Sequence, residues 1–407
     1  MRFCCCLIGS FQAFGLYGYD AGVLGGVQDT RPFREALGGF GIGAEMSLTE
    51  NKRGPEVAFQ CVFLVAGCAF AYWVDFGFTR LDNQLSWRFP LALQALFAAV
   101  SGVTMFLLPD TPRWYYARNR LDEGDEILAR LHDRPISDLA VQEMRQSIIL
   151  SIQHEAEVTK RISLLDLVWD RTNLRVGRRI RISFLILSIQ QMMGINIAVY
   201  YSVTIFSQID LSSTMSQLLA AVINTCFALG STLLPATIER FGRRNILIYS
   251  ASGLTICLAV FVGMIGSPHP TLATQWTAVA SIIVYNFIFG YGWIGVCWLY
   301  GAEIAPLQYR HVGAAAGSFG EWLFCFITVF AGGIGLNNVG WKLWIWCLIS
   351  CVVAIPLIWF MCPETTGKTL EEINFLFEKT SEGGAASSGD DSKERDIDFV
   401  HQENAYP

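Results

Sequence analysis

Apolar runs of membrane length recur along the chain, at about residues 3–27, 57–78, 87–108, 181–206, 214–238, 245–265, 275–301, 312–335 and 341–361. At 1.5 Å rise per residue, about 20 apolar residues cross a ~30 Å hydrocarbon core, so each run predicts a transmembrane helix. The interval 109–180 breaks the pattern. It holds twelve Lys and Arg, among them Arg113, Arg118, Arg120, Arg130, Arg134, Arg175, Arg178 and Arg179, and is too polar to span. Its patterning around Leu121–Asp133 predicts short amphipathic helices. From Ser381 onward the chain is small, polar and acidic, which predicts a disordered tail.

Composition sharpens this reading. Soluble domains carry roughly 25% charged residues; here 16% are charged and 53% apolar, with a mean hydropathy of +0.40. A cytosolic enzyme, a nucleic-acid binder and a disordered scaffold are excluded. The net charge of −6 decides little, because charge is segregated along the chain. No cleavable leader is expected, since the first apolar run continues past Gly26 without a small-residue cleavage site. The twelve cysteines sit mostly inside apolar runs, as at Cys226, Cys257, Cys297 and Cys347. They have neither disulfide nor zinc spacing and read as small apolar filler.

Lys and Arg mark the cytoplasmic side. Connections 207–213 and 266–275 carry neither, whereas Glu239–Arg244 and Gln308–His311 are basic and fall on the side of 109–180. The front of the chain does not fit this alternation. Residues 28–56 would have to return across the membrane, yet their longest uncharged run, Ala36–Ala44, makes only about 13 Å of helix. Either the first helix is inverted or helices are missing. An internal repeat favours the second reading. Pro109–Arg113 resembles Pro363–Gly367 at an offset of 254, and Glu45 and Arg53 match Glu303 and Arg310 at 258 and 257. Gly18-Tyr-Asp20 matches Gly194-Ile-Asn196 at only 176, so the first repeat is about 80 residues short between Asp20 and Glu45. Two six-helix repeats are inferred, the first lacking its second to fourth helices.

Six motifs then occur in order: Gly18–Gly26, Arg53-Gly54 opening a span, Pro109–Trp114, Gln190–Asn196 with Tyr200-Tyr201, Glu239–Arg244, and Pro363–Lys368. This set resembles the sugar porters of the major facilitator superfamily, of the fungal sugar/proton symporter kind. The resemblance implies an all-α polytopic fold of two helical bundles, here with an incomplete first bundle and about nine transmembrane helices. It also implies a sugar held between the bundles.

A sugar presents hydroxyls that both donate and accept, and a dry site matches them with neutral amides, because an unpaired buried polar atom costs roughly 1–3 kcal/mol. The resemblance makes Gln190, Gln191, Asn196 and Asn224 sugar contacts and Trp298 the stacking aromatic. Successive glutamines on a straight helix point about 100° apart, so convergence needs a bend, which Gly194 permits. Interhelical bonding is the alternative role for these amides. Glu321 carries a carboxyl where relatives usually carry an amide. Three readings stand: it donates a hydrogen bond when protonated, it implies a substrate other than a plain hexose, or it is an acid satisfied within its own helix. The family's fifth-helix glutamine falls at Cys61, with Gln60 beside it as a weaker binding candidate. Asp20, an ionisable group inside a span, is a functional residue by default and by resemblance the proton carrier. Its usual arginine partner is not identified. Glu303 and Arg310, two turns apart, are expected on one helix face, forming a cytoplasmic gate network with Glu239, Arg240, Arg243 and Arg244.

The expected organisation is an incomplete bundle at 1–108, a cytoplasmic helical linker at 109–180, a six-helix bundle at 181–362 and a cytoplasmic tail at 363–407. No cofactor, metal cluster, phosphate loop or catalytic triad is found, so no enzyme activity is expected. The partners implied are a small sugar, a proton and the lipid bilayer, with no nucleic acid, in a multi-pass monomer of the plasma membrane. Proton-coupled monosaccharide transport by alternating access is the first reading. A non-transporting sensor or an inactive shortened homologue is the second, and predicts no accumulation of sugar above the outside level.

Overall fold

The computed structural model describes residues 53–368, except 79, 82, 108–109, 111, 133, 160–174, 208–210, 270 and 306–308, together with Ile373 and Phe377. For 53–60, 100–107, 154–159, Arg310 and a few single positions only the helical backbone is described. Asp20, the predicted span 3–27, the interval 28–52 and the tail beyond Phe377 therefore lie outside it.

The described residues are helical, without strands: α1 (Arg53–Phe78), α2 (Leu85–Leu107), α3 (Pro112–Ala117), α4 (Leu121–His132), α5 (Leu139–Thr159), α6 (Val176–Met192), α7 (Ile195–Tyr200), α8 (Ser202–Ser207), α9 (Ser213–Phe241), α10 (Arg243–Ile265), α11 (Leu272–Gly292), α12 (Val296–Ile304), α13 (Arg310–Asn338) and α14 (Leu343–Met361). Among the described residues seven segments are long and apolar enough to cross a membrane: Cys61–Phe78, Val176–Tyr200, Ser213–Phe241, Arg243–Ile265, Leu272–Ile304, Val312–Leu336 and Gly340–Met361. A shorter apolar helix, Arg88–Ala99, lies within the predicted span 87–108. The basic interval forms α3 to α5, of 6, 12 and 21 residues, so the last is longer than the short helices expected; they close on a small core of Tyr116, Leu128 and Val141.

Two spans are discontinuous. Val176–Tyr200 breaks between α6 and α7, where Gly194 takes φ 96°, a left-handed conformation that suits glycine. A Cβ there would also lie 2.5 Å from Cys347 Sγ, so space and backbone demand the same residue. Leu272–Ile304 breaks at 293–295, between α11 and α12. In lipid, carbonyls freed by such breaks need internal partners. Each break supplies one to the other. Tyr285 of α11 donates its hydroxyl to the Met193 carbonyl at 2.9 Å, and Gln190 of α6 donates Nε2 to the Trp293 carbonyl at 3.4 Å.

Small residues let neighbouring helices approach. Gly230 of α9 and Gly290 of α11 face the Phe287 and Phe227 carbonyls so closely that a Cβ on either would collide with backbone. Gly313, Gly317 and Gly320 line the α13 seam; Gly317 lies against Ser183 and Leu187 of α6, and Gly320 against Ser188 and Phe184. From the front of the chain, α1 docks on α9 and the α7–α8 corner. Trp73 Nε1 donates to Thr225 Oγ1 at 2.9 Å, and the Tyr72 hydroxyl donates to the Val199 carbonyl at 2.5 Å. Ile373 and Phe377 are buried against the second half, with Phe377 beneath the Arg179 guanidinium.

Candidate functional site

The break at Gly194 turns Asn196 back onto Gln191. Asn196 Nδ2 donates to Gln191 Oε1, and Gln191 Nε2 donates across to Glu321 Oε1 on α13. Asn196 Nδ2 also lies 3.0 Å from Cys325 Sγ, one turn beyond Glu321. Three of the predicted residues thus form one relay from α7 through α6 to α13. Glu321 is not satisfied within its own helix; its bond crosses to Gln191, which answers the alternative left open by its sequence position. It is 7% exposed, and its Oε2 is buried with no hydrogen-bond partner among the described residues.

Gln190 is fully buried but points the other way, to the Trp293 carbonyl, and leaves its Oε1 unpartnered. The 100° step between adjacent helical positions accounts for this. Gln190 closes the second helix break while Gln191 enters the relay. Trp293 Nε1 is a further buried orphan beside that break. Buried polar atoms are normally bonded, so Gln190 Oε1, Trp293 Nε1 and Glu321 Oε2 stand out as unsatisfied among the described residues.

Asn224 is fully buried on α9, where Nδ2 donates to the Ala220 carbonyl at 2.9 Å and Oδ1 accepts from Cys68 Sγ at 3.5 Å. Its described bonds join α9 to α1 and do not reach the relay. Trp298 of α12 is half-buried and packs on the central core. The Gln60 side chain lies outside the described residues. Cys61, at the register of the family's glutamine, is buried on α1 within electrostatic reach of Glu321. Cys297 of α12 stands in the same relation. Sequence reasoning treated these cysteines as filler. It also passed over Asn286, fully buried on α11 with its Oδ1 unpartnered, although an amide inside an apolar span is the same signal that picked out Asn224.

At the basic end, Arg243 holds Glu239 bidentately at 2.7 Å and reaches Glu303 at 3.0 Å. Arg240 is exposed, Arg244 donates instead to the Trp359 carbonyl at 2.7 Å, and the Arg310 side chain is not described. Glu303 and Arg310 do not share a helix face, contrary to their two-turn spacing. The helix ends at Ile304, Ala305 is extended with ψ 128°, and α13 begins anew at Arg310. Pro306 explains the break, since the residue before a proline is driven out of the helical region. In the sequence Pro363–Lys368 serves as a repeat marker and a family motif, and its polar residues have a clear structural role as well. Glu364 accepts the Arg243 and Arg244 backbone N–H groups at 3.0 and 3.1 Å, capping α10, while Thr365 donates to Glu303 at 2.8 Å. The signal was available: a carboxylate suits a helix start that follows a glycine and has no side-chain cap of its own.

Residues 43–377 match the family model described as "Sugar (and other) transporter". The MFS-type transporter oryC of Aspergillus oryzae is 32% identical over 79% of this chain and 60% of its own length. A sugar transporter of Saccharomyces cerevisiae is 28% identical over 84% and 59%, and the D-xylose-proton symporter of Escherichia coli 25% identical over 84% and 70%. The chain thus spans about 60% of the length of the first two of these relatives. The solved structure of the proton:xylose symporter XylE bound to 6-bromo-6-deoxy-D-glucose superposes with a TM-score of 0.65 at 20% identity, over 93% of this chain and 88% of that one. Family match, fold and two broken helices agree: the chain belongs to the sugar (and other) transporter family, the sugar porters of the major facilitator superfamily.

Proposed function

We propose that this chain carries a monosaccharide across the plasma membrane by alternating access, with transport coupled to protons. The observation that carries the reading is the Asn196–Gln191–Glu321 relay, which sits at the break of the discontinuous span Val176–Tyr200 and crosses to α13. Discontinuous spans are where transporters place substrate sites, and neutral amides match sugar hydroxyls. Gln190, Gln191, Asn196 and Glu321 would hold the hydroxyls, with Trp298 against the apolar face of the ring and Asn224 and Gln60 lining the approach. Asp20 would carry the proton. Glu239, Arg243 and Glu303, joined by Arg240, Arg244 and Arg310, would latch the cytoplasmic end while the site opens outward. A D-xylose-proton symporter among the relatives supports pairing sugar with proton. In this reading residues 1–108 are an incomplete first bundle lacking three helices, 109–180 a cytoplasmic linker, 181–362 the complete bundle and 363–407 a cytoplasmic tail. The chain works as a monomer.

A second reading, a non-transporting sensor or inactive homologue, is favoured by the chain spanning about 60% of its first relatives. Labelled D-xylose and D-glucose uptake in transporter-null cells separates the two. Accumulation above the outside level, abolished by a protonophore and by Asp20→Asn, is expected on the first. Binding without accumulation establishes the second.

A further inference from the structure

Resting on that reading, we propose that Glu321 is itself a proton-carrying substrate ligand, neutral when the site is occupied, whose Oε2–H donates to a hydroxyl of the bound solute. Hydrogen-bond direction along the relay is the first argument. Asn196 donates to Gln191, Gln191 donates to Glu321 Oε1, and the chain of donors ends there. Glu321 Oε2 is left buried, without a donor among the described residues.

The surroundings supply the second argument. α6 and α7 present neutral Gln191 and Asn196; α1 presents Cys61, α12 Cys297, and α13 itself Cys325. Among the described residues these thiols lie within electrostatic range of Glu321, and no Lys, Arg or His pairs with it. Arg243 and Arg244 of α10 are engaged by Glu239, Glu303, Glu364 and the Trp359 carbonyl, and the buried Arg179 of α6 donates to the Ile304 and Ile373 carbonyls. An ionised carboxylate buried among apolar walls and one amide donor is costly, and such a group takes up a proton instead. Protonation turns Oε2 from an unpaired acceptor into a donor. An amide at this position would bind sugar without regard to pH; an acid makes occupancy require a proton. Loss of that proton leaves an uncompensated charge against the solute and favours release.

The test uses the purified full chain in lipid nanodiscs. Infrared difference spectra of wild type against Glu321→Gln should show, at neutral pH, a carboxylic-acid carbonyl band that the variant lacks. The band should shift when D-xylose or D-glucose binds. Sugar affinity of the wild type should fall about tenfold for each pH unit above the point where Glu321 ionises, and the variant should lose this dependence. Absence of a variant-sensitive acid band overturns the proposal, as does an identical pH profile in the variant. Should Glu321→Gln fail to fold, the wild-type band decides alone: titration together with affinity supports the proposal, and independence from affinity overturns it. If neither sugar binds wild type, the transport reading and the substrate half of this proposal fall, while the acid band still decides the proton.

Discussion

Arg243 Nη2 stands 3.0 Å from Glu303 Oε1, which ties the start of α10 to the end of α12 across the basic end of the bundle. Arg243 is 6% exposed at its side chain and Glu303 18%, whereas Glu239, the other partner, is 41% exposed. The Glu303 contact is therefore the one that water screens least. Truncating one partner of a buried pair strands the other charge, at a cost of about 3–5 kcal/mol. Arg243→Ala should lower thermal stability in detergent strongly, while Glu239→Ala should cost under about 1 kcal/mol. Thermal unfolding of the two variants side by side checks the ranking; equal losses would refute it.

Glu364 holds the first N–H groups of α10 from another part of the chain. Losing an N-terminal cap costs about 0.5–2 kcal/mol. Glu364→Ala should destabilise by that order and accelerate amide exchange in the first turn of α10. Gly242→Ala should do the same more severely, since Gly242 sits at φ 85° and its Cβ would lie 2.6 Å from Glu364 Oε2. Exchange confined to other helices would contradict the cap.

The α9–α11 seam is set by Gly230 and Gly290 against opposing carbonyls. Gly230→Leu should push the helices apart and remove sugar binding along with stability. Thr232→Leu, at an exposed position on the same helix, should leave both unchanged. The check is a thermal melt paired with D-xylose binding.

Within the basic interval, the Tyr116 hydroxyl donates to Asp125 at 2.8 Å, and Arg145 Nε lies 3.0 Å from the same oxygen. Burial, and then the Asp125 carboxylate, push the Tyr116 hydroxyl above its ordinary range. The neutral phenol is the form favoured by folding. Its contribution is fully present below about pH 10, the ordinary tyrosine value, and is lost as pH rises through the higher folded value. Tyr116→Phe should cost about 1–3 kcal/mol in this small core by leaving Asp125 with one partner, and should blunt the alkaline loss. Limited proteolysis across residues 112–159 between neutral and alkaline pH reads both effects.

Much of this architecture was legible because lipid makes hydrophobic runs nearly synonymous with helices; the predicted run 245–265 and the helix Arg243–Ile265 differ by two residues at one end. The bend at Gly194 was legible too, since two glutamines and an asparagine cannot converge from a straight helix. What stayed hidden depended on three-dimensional partners. Nothing in the sequence shows that the Gln190 amide also closes a break in another span, whose own position, 293–295, carries no proline. Asn224 and Gln191 are the same kind of signal in sequence, but only docking of α1 reveals that Asn224 meets Cys68. The separation of Glu303 from Arg310 was readable from Pro306 and was overridden by their helical spacing.

The account turns on the relay of Asn196, Gln191 and Glu321 being the place where a sugar is held. Equilibrium binding of D-xylose and D-glucose to the purified chain, wild type against Gln191→Ala, tests this most directly. The donor and acceptor lost at Gln191 predict saturable wild-type binding weakened about tenfold or more in the variant, with the fold retained by circular dichroism. Equal affinity in a folded Gln191→Ala would place the sugar elsewhere and contradict the account.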